Sequence, residues 1–213
     1  ASVTGATIAI ITGPAGAGAA SNDRITNFGT VNGAILTLAG DDIVTLAAGS
    51  SVSGAVLLGD GEDTLNYAGG GLGAARGGDG IDTLNFSGPG LRIINSGDAG
   101  ADVFADFEIY HFLGGGYVLD GLHQGLMATY FDGGENILLG TLETQNVMVA
   151  FGAGLEVADG ALITGNLTNA GRLGINAGGM GVFTLDGDFT QASSGLLILD
   201  VSGGAASDRI DVS

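Results

Sequence analysis

Gly77 to Phe86 reads GGDGIDTLNF, and a near copy, LGDGEDTLNY, runs from Leu58 to Tyr67. Gly80-Ile81-Asp82 aligns with Gly61-Glu62-Asp63, then with Gly40-Asp41-Asp42 before and Gly100-Ala101-Asp102 after. The aspartates fall 21, 19 and 20 residues apart, and a further step of 19 before Asp42 lands on Asp23 in SNDRI. Self-similarity at about 20 residues marks a solenoid, in which each repeat is one coil stacked on the last. The residues after each aspartate say which kind. Thr64-Leu65-Asn66-Tyr67 and Thr83-Leu84-Asn85-Phe86 alternate polar and apolar, as a strand with one buried face does, which puts Leu65, Leu84, Tyr67 and Phe86 inside. Gly-Asp-Gly ahead of each strand supplies turn chemistry, because Gly reaches positive φ without cost and Asp hydrogen-bonds its own backbone. No helix-period stripe of useful length appears. The sequence therefore predicts an all-β chain, a parallel β-helix of about ten coils of roughly 20 residues, continuous over residues 1–213.

Composition narrows the partners. With 43 Gly, no Cys, no Trp and 45% hydrophobic residues, the chain is too apolar for disorder and too rich in Gly for a helix bundle. Acidic residues number 23 against 5 basic ones, all Arg (Arg24, Arg76, Arg92, Arg172, Arg209), for a net charge of −18. Such a chain has no surface with which to neutralise a phosphate backbone, so nucleic acid is excluded as a partner. The acidic excess has two readings: turn chemistry and solubility, or a divalent cation. No apolar run approaches the ~18 residues of a membrane helix. Ala1 is not a Met and Arg209-Ile210-Asp211-Val212 still alternates as a strand does, so the expectation is a fragment of a longer protein.

Along the chain, Thr7 to Thr12 (TIAIIT) reads as a strand and GPAGAGAA as turns; coils become clear from Ser21. The series NFGTVNGAI, AGDDIVTL, GSSVSGAVLLGDGEDTLNY and GGDGIDTLNFSG resembles the passenger regions of bacterial autotransporters (type V secretion). These proteins cross the outer membrane through their own C-terminal β-barrel. ADFEIYHFLGGGYVLDG (Ala105 to Gly121) is similar to a Phe-Glu, Gly-Gly, aromatic, Leu-x-Gly segment of those passengers, with Tyr117 where Trp is more usual. GNLTNAGRLGI and Leu185 to Ser213 resemble the last coils ahead of the membrane anchor. The resemblance implies a right-handed β-helix exported through the periplasm to the surface of a Gram-negative cell. It also implies a covalently continuous outer-membrane β-barrel downstream, and as partners a host or bacterial surface receptor or glycan, or copies of itself. Three stretches are distinguished: Asp/Gly-turn coils over 1–103, an aromatic-rich segment over 104–132, and C-terminal coils over 133–213.

The aromatic segment holds Phe104, Phe107, Tyr110, Phe112, Tyr117, Tyr130 and Phe131, more than half of the 9 Phe and 4 Tyr in the chain. It reads either as a stack inside the coils or as a face for a glycan or partner. His111 and His123 lie in the same span, and two lone histidines point to surface or hydrogen-bonded roles rather than to ligation.

Gly77 to Asn85 fits the calcium nonapeptide G-G-x-G-x-D-x-U-x of toxin-type repeats, and the earlier copy fits apart from Leu58 in place of the first Gly. Stacking the two copies would set Asp60, Asp63, Asp79 and Asp82 along one edge. Carboxylates about 5 Å apart repel unless a cation or a proton relieves them, which makes these four the candidate Ca²⁺ ligands. No cofactor is otherwise required. The motifs of nucleophile elbows, P-loops and zinc peptidases are missing, and no catalytic residue is assigned. The expected function is a structural and adhesive module, not an enzyme; a calcium-stabilised solenoid and a glycan-cleaving β-helix are the alternatives.

Overall fold

The structure, a computed structural model, describes residues 8–12, 20–88, 91–96, 103–176, 179–201 and 207–213. Asp102 and most of the GPAGAGAA run lie outside the described residues. Among the described residues the chain is all β with no helix, its parallel strands stacked as a β-solenoid of about eight turns, where length alone predicts about ten. Some turns are longer than the 20-residue repeat. The residue that follows Asp82 in the stack is Glu108, 26 positions on, and the one that follows Gly181 is Asp208, 27 positions on.

Two compact units divide the chain. The first comprises Ala1–Pro89 with Asp102–Tyr110, the second Gly90–Ala101 with His111–Ser213. In the first, Arg24–Asn27, Ile43–Leu46, Thr64–Tyr67 and Thr83–Phe86 stack in register. Ile25, Val44, Leu65 and Leu84 therefore form one column, and Asn27, Leu46, Tyr67 and Phe86 the next. Alternation is what sorts them: Leu65, Leu84 and Phe86 are fully buried and Tyr67 nearly so, as the sequence predicts. Each such side chain contributes about 1.5–3 kcal/mol by leaving water. A second face runs through Ile8–Ile11, Ala34–Leu36, Ser50–Asp60, Gly70–Asp79 and Phe104–Ala105, with Thr30–Val31 also on Ser50–Asp60.

The corner between the faces follows from close approach. Gly59 and Gly78 stack with φ of 118° and 124°, and a Cβ on either would run into the carbonyl of the residue one coil before, Leu38 or Gly59. Only Gly tolerates both conditions. Leu38, at the head of that column, carries φ of 78° with its side chain about half exposed.

In the second unit, Gly116–Phe131, Thr141–Val149 and Leu162–Asn169 stack, followed by Val182–Asp186 and Phe189–Gln191. Glu135–Leu138, Gly154–Val157, Arg172–Ile175 and Leu196–Ile198 make the neighbouring stack. Leu119, Leu138, Val157 and Ile175 form one apolar column, and Leu142, Ile163 and Leu185 another.

Candidate functional site

The acidic corner of the first unit is built on strand parity. Asp63 lies two residues before Leu65 and four before Tyr67, and Asp82 stands in the same relation to Leu84 and Phe86, so these carboxylates share the inner face with the core. Asp42, Asp63 and Asp82 are buried, at 0%, 1% and 0% exposure. Each reaches back one coil. Asp42 Oδ1 accepts the N–H of Asp23 at 2.6 Å, Asp63 Oδ1 that of Asp42 at 2.7 Å, and Asp82 Oδ1 that of Asp63 at 2.8 Å. Glu108 Oε2 closes the series by accepting the N–H of Asp82 at 2.7 Å. The ladder supplies acceptors at a corner where the backbone needs them.

One oxygen of each aspartate does this work and the other does none. Oδ2 of Asp42, Asp63 and Asp82 is buried without a hydrogen-bond partner in the protein. Burial first, then the neighbouring carboxylates, raises the pKa of Asp63 from 3.8 to about 6, against the lowering effect of its bond to Asp42 N–H. Asp82 is raised to about 6 in the same way, with Asp63, Glu108 and Asp106 as the repelling charges. Gly77 is required by close approach: a Cβ there would run into the Asp106 carbonyl first and would also sit 2.5 Å from Asp82 Oδ2. In the coil before, the corresponding position is Leu58, a buried core residue, which gives the one departure from the nonapeptide pattern a packing reason.

The four predicted cation ligands thus separate into two pairs. Asp63 and Asp82 turn inward, whereas Asp60 and Asp79 are exposed and face each other in register at the ends of Ser50–Asp60 and Gly70–Asp79. A second exposed row runs beside them, in which Asp41 Oδ1 accepts the N–H of Glu62 at 3.0 Å and Asn22 Oδ1 that of Asp41 at 2.8 Å. The sequence reading passed over Glu108. Its signal was parity, since Glu108, Tyr110 and Phe112 alternate as Asp82, Leu84 and Phe86 do.

The aromatic segment is mostly interior. In the first unit Phe107 and Tyr110 are buried, and Phe104 packs edge-on against Tyr67 and Phe86 with centroids 5.3 and 5.1 Å away. In the second, Phe112, Tyr117 and Phe131 are fully buried, Phe112 stacking on Phe131 at 5.1 Å. Tyr130 points the other way and stacks on His111 at 4.4 Å, while His111 Nδ1 meets Asp132 Oδ2 at 2.6 Å. His123 is buried.

The second unit meets the same backbone need with different chemistry. Buried Asn136 accepts the N–H of Tyr117 at 3.3 Å and donates to the carbonyls of Gly133 and Gly154 at 3.1 and 3.2 Å. Arg172 pairs with Glu135 across the intervening coil, and its Nη1 lies 3.6 Å from Glu156 Oε2. Gly154 opens the path, because a Cβ there would strike the Glu135 carboxylate. The Glu135 hydrogen bond holds the Arg172 pKa above its ordinary value. Compared with known proteins, the chain matches no protein family, no curated protein and no solved structure.

Proposed function

We infer that this chain is a cell-surface structural and adhesive module, the passenger stalk of a bacterial autotransporter. The observation that carries this reading is the repetition itself: like side chains ride on like side chains, Val44 on Leu65 on Leu84, through one coil after another. A stack of this kind grows by nearest-neighbour contacts and offers long side faces for binding. The order of motifs from NFGTVNGAI to Ser213 supports it by resemblance. In this role the chain makes no covalent change. It presents faces to a surface receptor, a glycan or a second copy of itself, beyond an outer-membrane β-barrel encoded downstream. The test is to express the complete reading frame in a non-adhering Gram-negative host. Protease added to intact cells should cut the chain, and the cells should clump or adhere; a chain retained inside the cell overturns the reading.

A second reading, a calcium-stabilised solenoid, is favoured by the buried Oδ2 atoms of Asp63 and Asp82, which have no hydrogen-bond partner in the protein. Of the four expected ligands, Asp63 and Asp82 would ligate from the inner face, and Asp60 and Asp79 from the exposed one. A cation bound only by the folded state must raise the melting midpoint. A midpoint that is the same in millimolar Ca²⁺ and in chelator discards this reading.

A further inference from the structure

We propose that the outer face of the first unit carries a binding groove for a neutral glycan. The groove, about 320 Å³, is lined by Thr30, Asn32, Ser51, Ser53, Gly71 and Gly73, with Val52 and Leu72 in its floor. Its shape comes from the register of the coils. Thr30 pairs with Ser51 and Ser51 with Gly71, so a column that carries hydroxyls in two coils carries no side chain in the third. Gly73, which follows Leu72, the partner of Val52, lies where the register shifts and faces Gly54 and Ser53 together, again without a side chain. Two columns that lose their side chains together leave a depression with hydroxyls along one wall.

The chemistry of that wall selects the ligand class. Ser51 donates to Thr30 Oγ1 at 3.1 Å, which leaves the Thr30 hydroxyl proton to be donated outward. Ser53 Oγ accepts the N–H of Gly33 at 3.0 Å and likewise keeps its own proton. Asn32 adds an amide that can both donate and accept. No lining residue is charged, on a chain of net charge −18 that repels polyanions. Alternating neutral donors and acceptors match the hydroxyls of a sugar. Successive rungs lie about 4.8 Å apart, similar to the advance of a glycan by one ring.

A peptide fits less well. Ser50–Asp60 is paired on both sides, with Thr30–Val31 and Ala34–Leu36 before it and Gly70–Asp79 after it, so the groove offers no strand edge for main-chain pairing. Nor does the lining contain a carboxylate, so the groove would hold a glycan without cleaving it.

The inference rests on the adhesive reading and names its ligand class. Saturation-transfer NMR on the 213-residue chain with cellohexaose, maltohexaose, chitohexaose and an anionic hyaluronan hexasaccharide tests it. At least one neutral oligomer should bind and the anionic one should not. Asn32→Ala, which removes the lining amide, and Gly71→Thr, which fills the depression, should each weaken that binding at least tenfold with the melting midpoint held. Gly71 suits this role because a Cβ there meets only Ser51 Cβ, at 3.3 Å. No binding by any neutral oligomer, binding of the anionic one alone, or binding unchanged in Gly71→Thr overturns the groove. Cells that still adhere with both substitutions would sink the groove and leave the surface module standing. A full chain that never reaches the surface would sink the module, whatever the NMR shows.

Discussion

The two units solve one problem at their corners in opposite ways. Where the chain turns into a strand, the N–H of the residue on the inner face needs an acceptor from the next coil. In the first unit aspartates supply it, each with one oxygen bonded and the other buried without a partner. In the second unit Asn136 supplies it and uses its amide nitrogen as well. Where the second unit does use an aspartate, Asp208, both oxygens are occupied, by the N–H groups of Gly181 and Asp200 at 2.8 and 2.6 Å. The geometry asks only for an acceptor. A buried acceptor that is charged and only half satisfied, as at Asp63 and Asp82, makes its corner respond to pH.

Removing the acceptor altogether gives the largest contrast. Asn136→Ala removes its hydrogen bonds to one N–H and two carbonyls at a site 1% exposed. At about 1–3 kcal/mol for each buried group left unpaired, urea unfolding should show a loss of several kcal/mol. Asp82→Ala strands the Asp63 N–H but also removes a half-satisfied charge, so it should cost less at pH 7.5 than Asn136→Ala does. If the two cost the same, the contrast between the corners fails.

The pH dependence comes next. The folded pKa of Asp63 and of Asp82 is about 6, above the ordinary 3.8. Between these values the folded chain binds more protons than the unfolded one, so stability from this pair is fully present below about pH 4 and is lost as pH rises through about 6. A shift of about 2 units is worth up to about 3 kcal/mol per group. Asp63→Asn with Asp82→Asn keeps the Oδ1 acceptors and removes the charges. The double variant should be more stable than the parent at pH 7.5 and match it near pH 4, as read by unfolding at both pH values. A parent no more sensitive to pH than the double variant would show that the corner does not titrate as stated.

Surface pairing should matter less. Arg172→Ala, which frees Glu135 and the partly buried Glu156, should cost about 1 kcal/mol or less in low salt and still less in 1 M salt. The smallest effect belongs to Leu38→Gly. It relieves a positive φ at the head of a column that is otherwise Gly, against the extra chain entropy of glycine, for a net gain of about 1 kcal/mol or less in unfolding free energy. A loss there would show that the Leu38 side chain matters more than its backbone.

Much of this was legible before any coordinates. The period gave the stacking, because residues one coil apart must superpose. The strand alternation gave Leu65, Tyr67, Leu84 and Phe86 as core. Parity would also have put Asp63 and Asp82 on that inner face, but the nonapeptide pattern grouped them along one edge with Asp60 and Asp79. Glu108 was missed because its turn is six residues longer than the repeat, and a fixed period cannot follow an insertion. The Arg172–Glu135 pair skips a coil, which no local pattern encodes.

The amino-acid order alone determined that the chain is β throughout and wound in coils, since alternation and turn chemistry are local properties of neighbouring residues. Only the tertiary structure decided which carboxylates are shut away from water and which oxygens go without partners. Those depend on which backbone N–H each carboxylate meets in the coil before, that of Asp42 for Asp63 and that of Asp63 for Asp82, and on how long each turn runs before the chain returns.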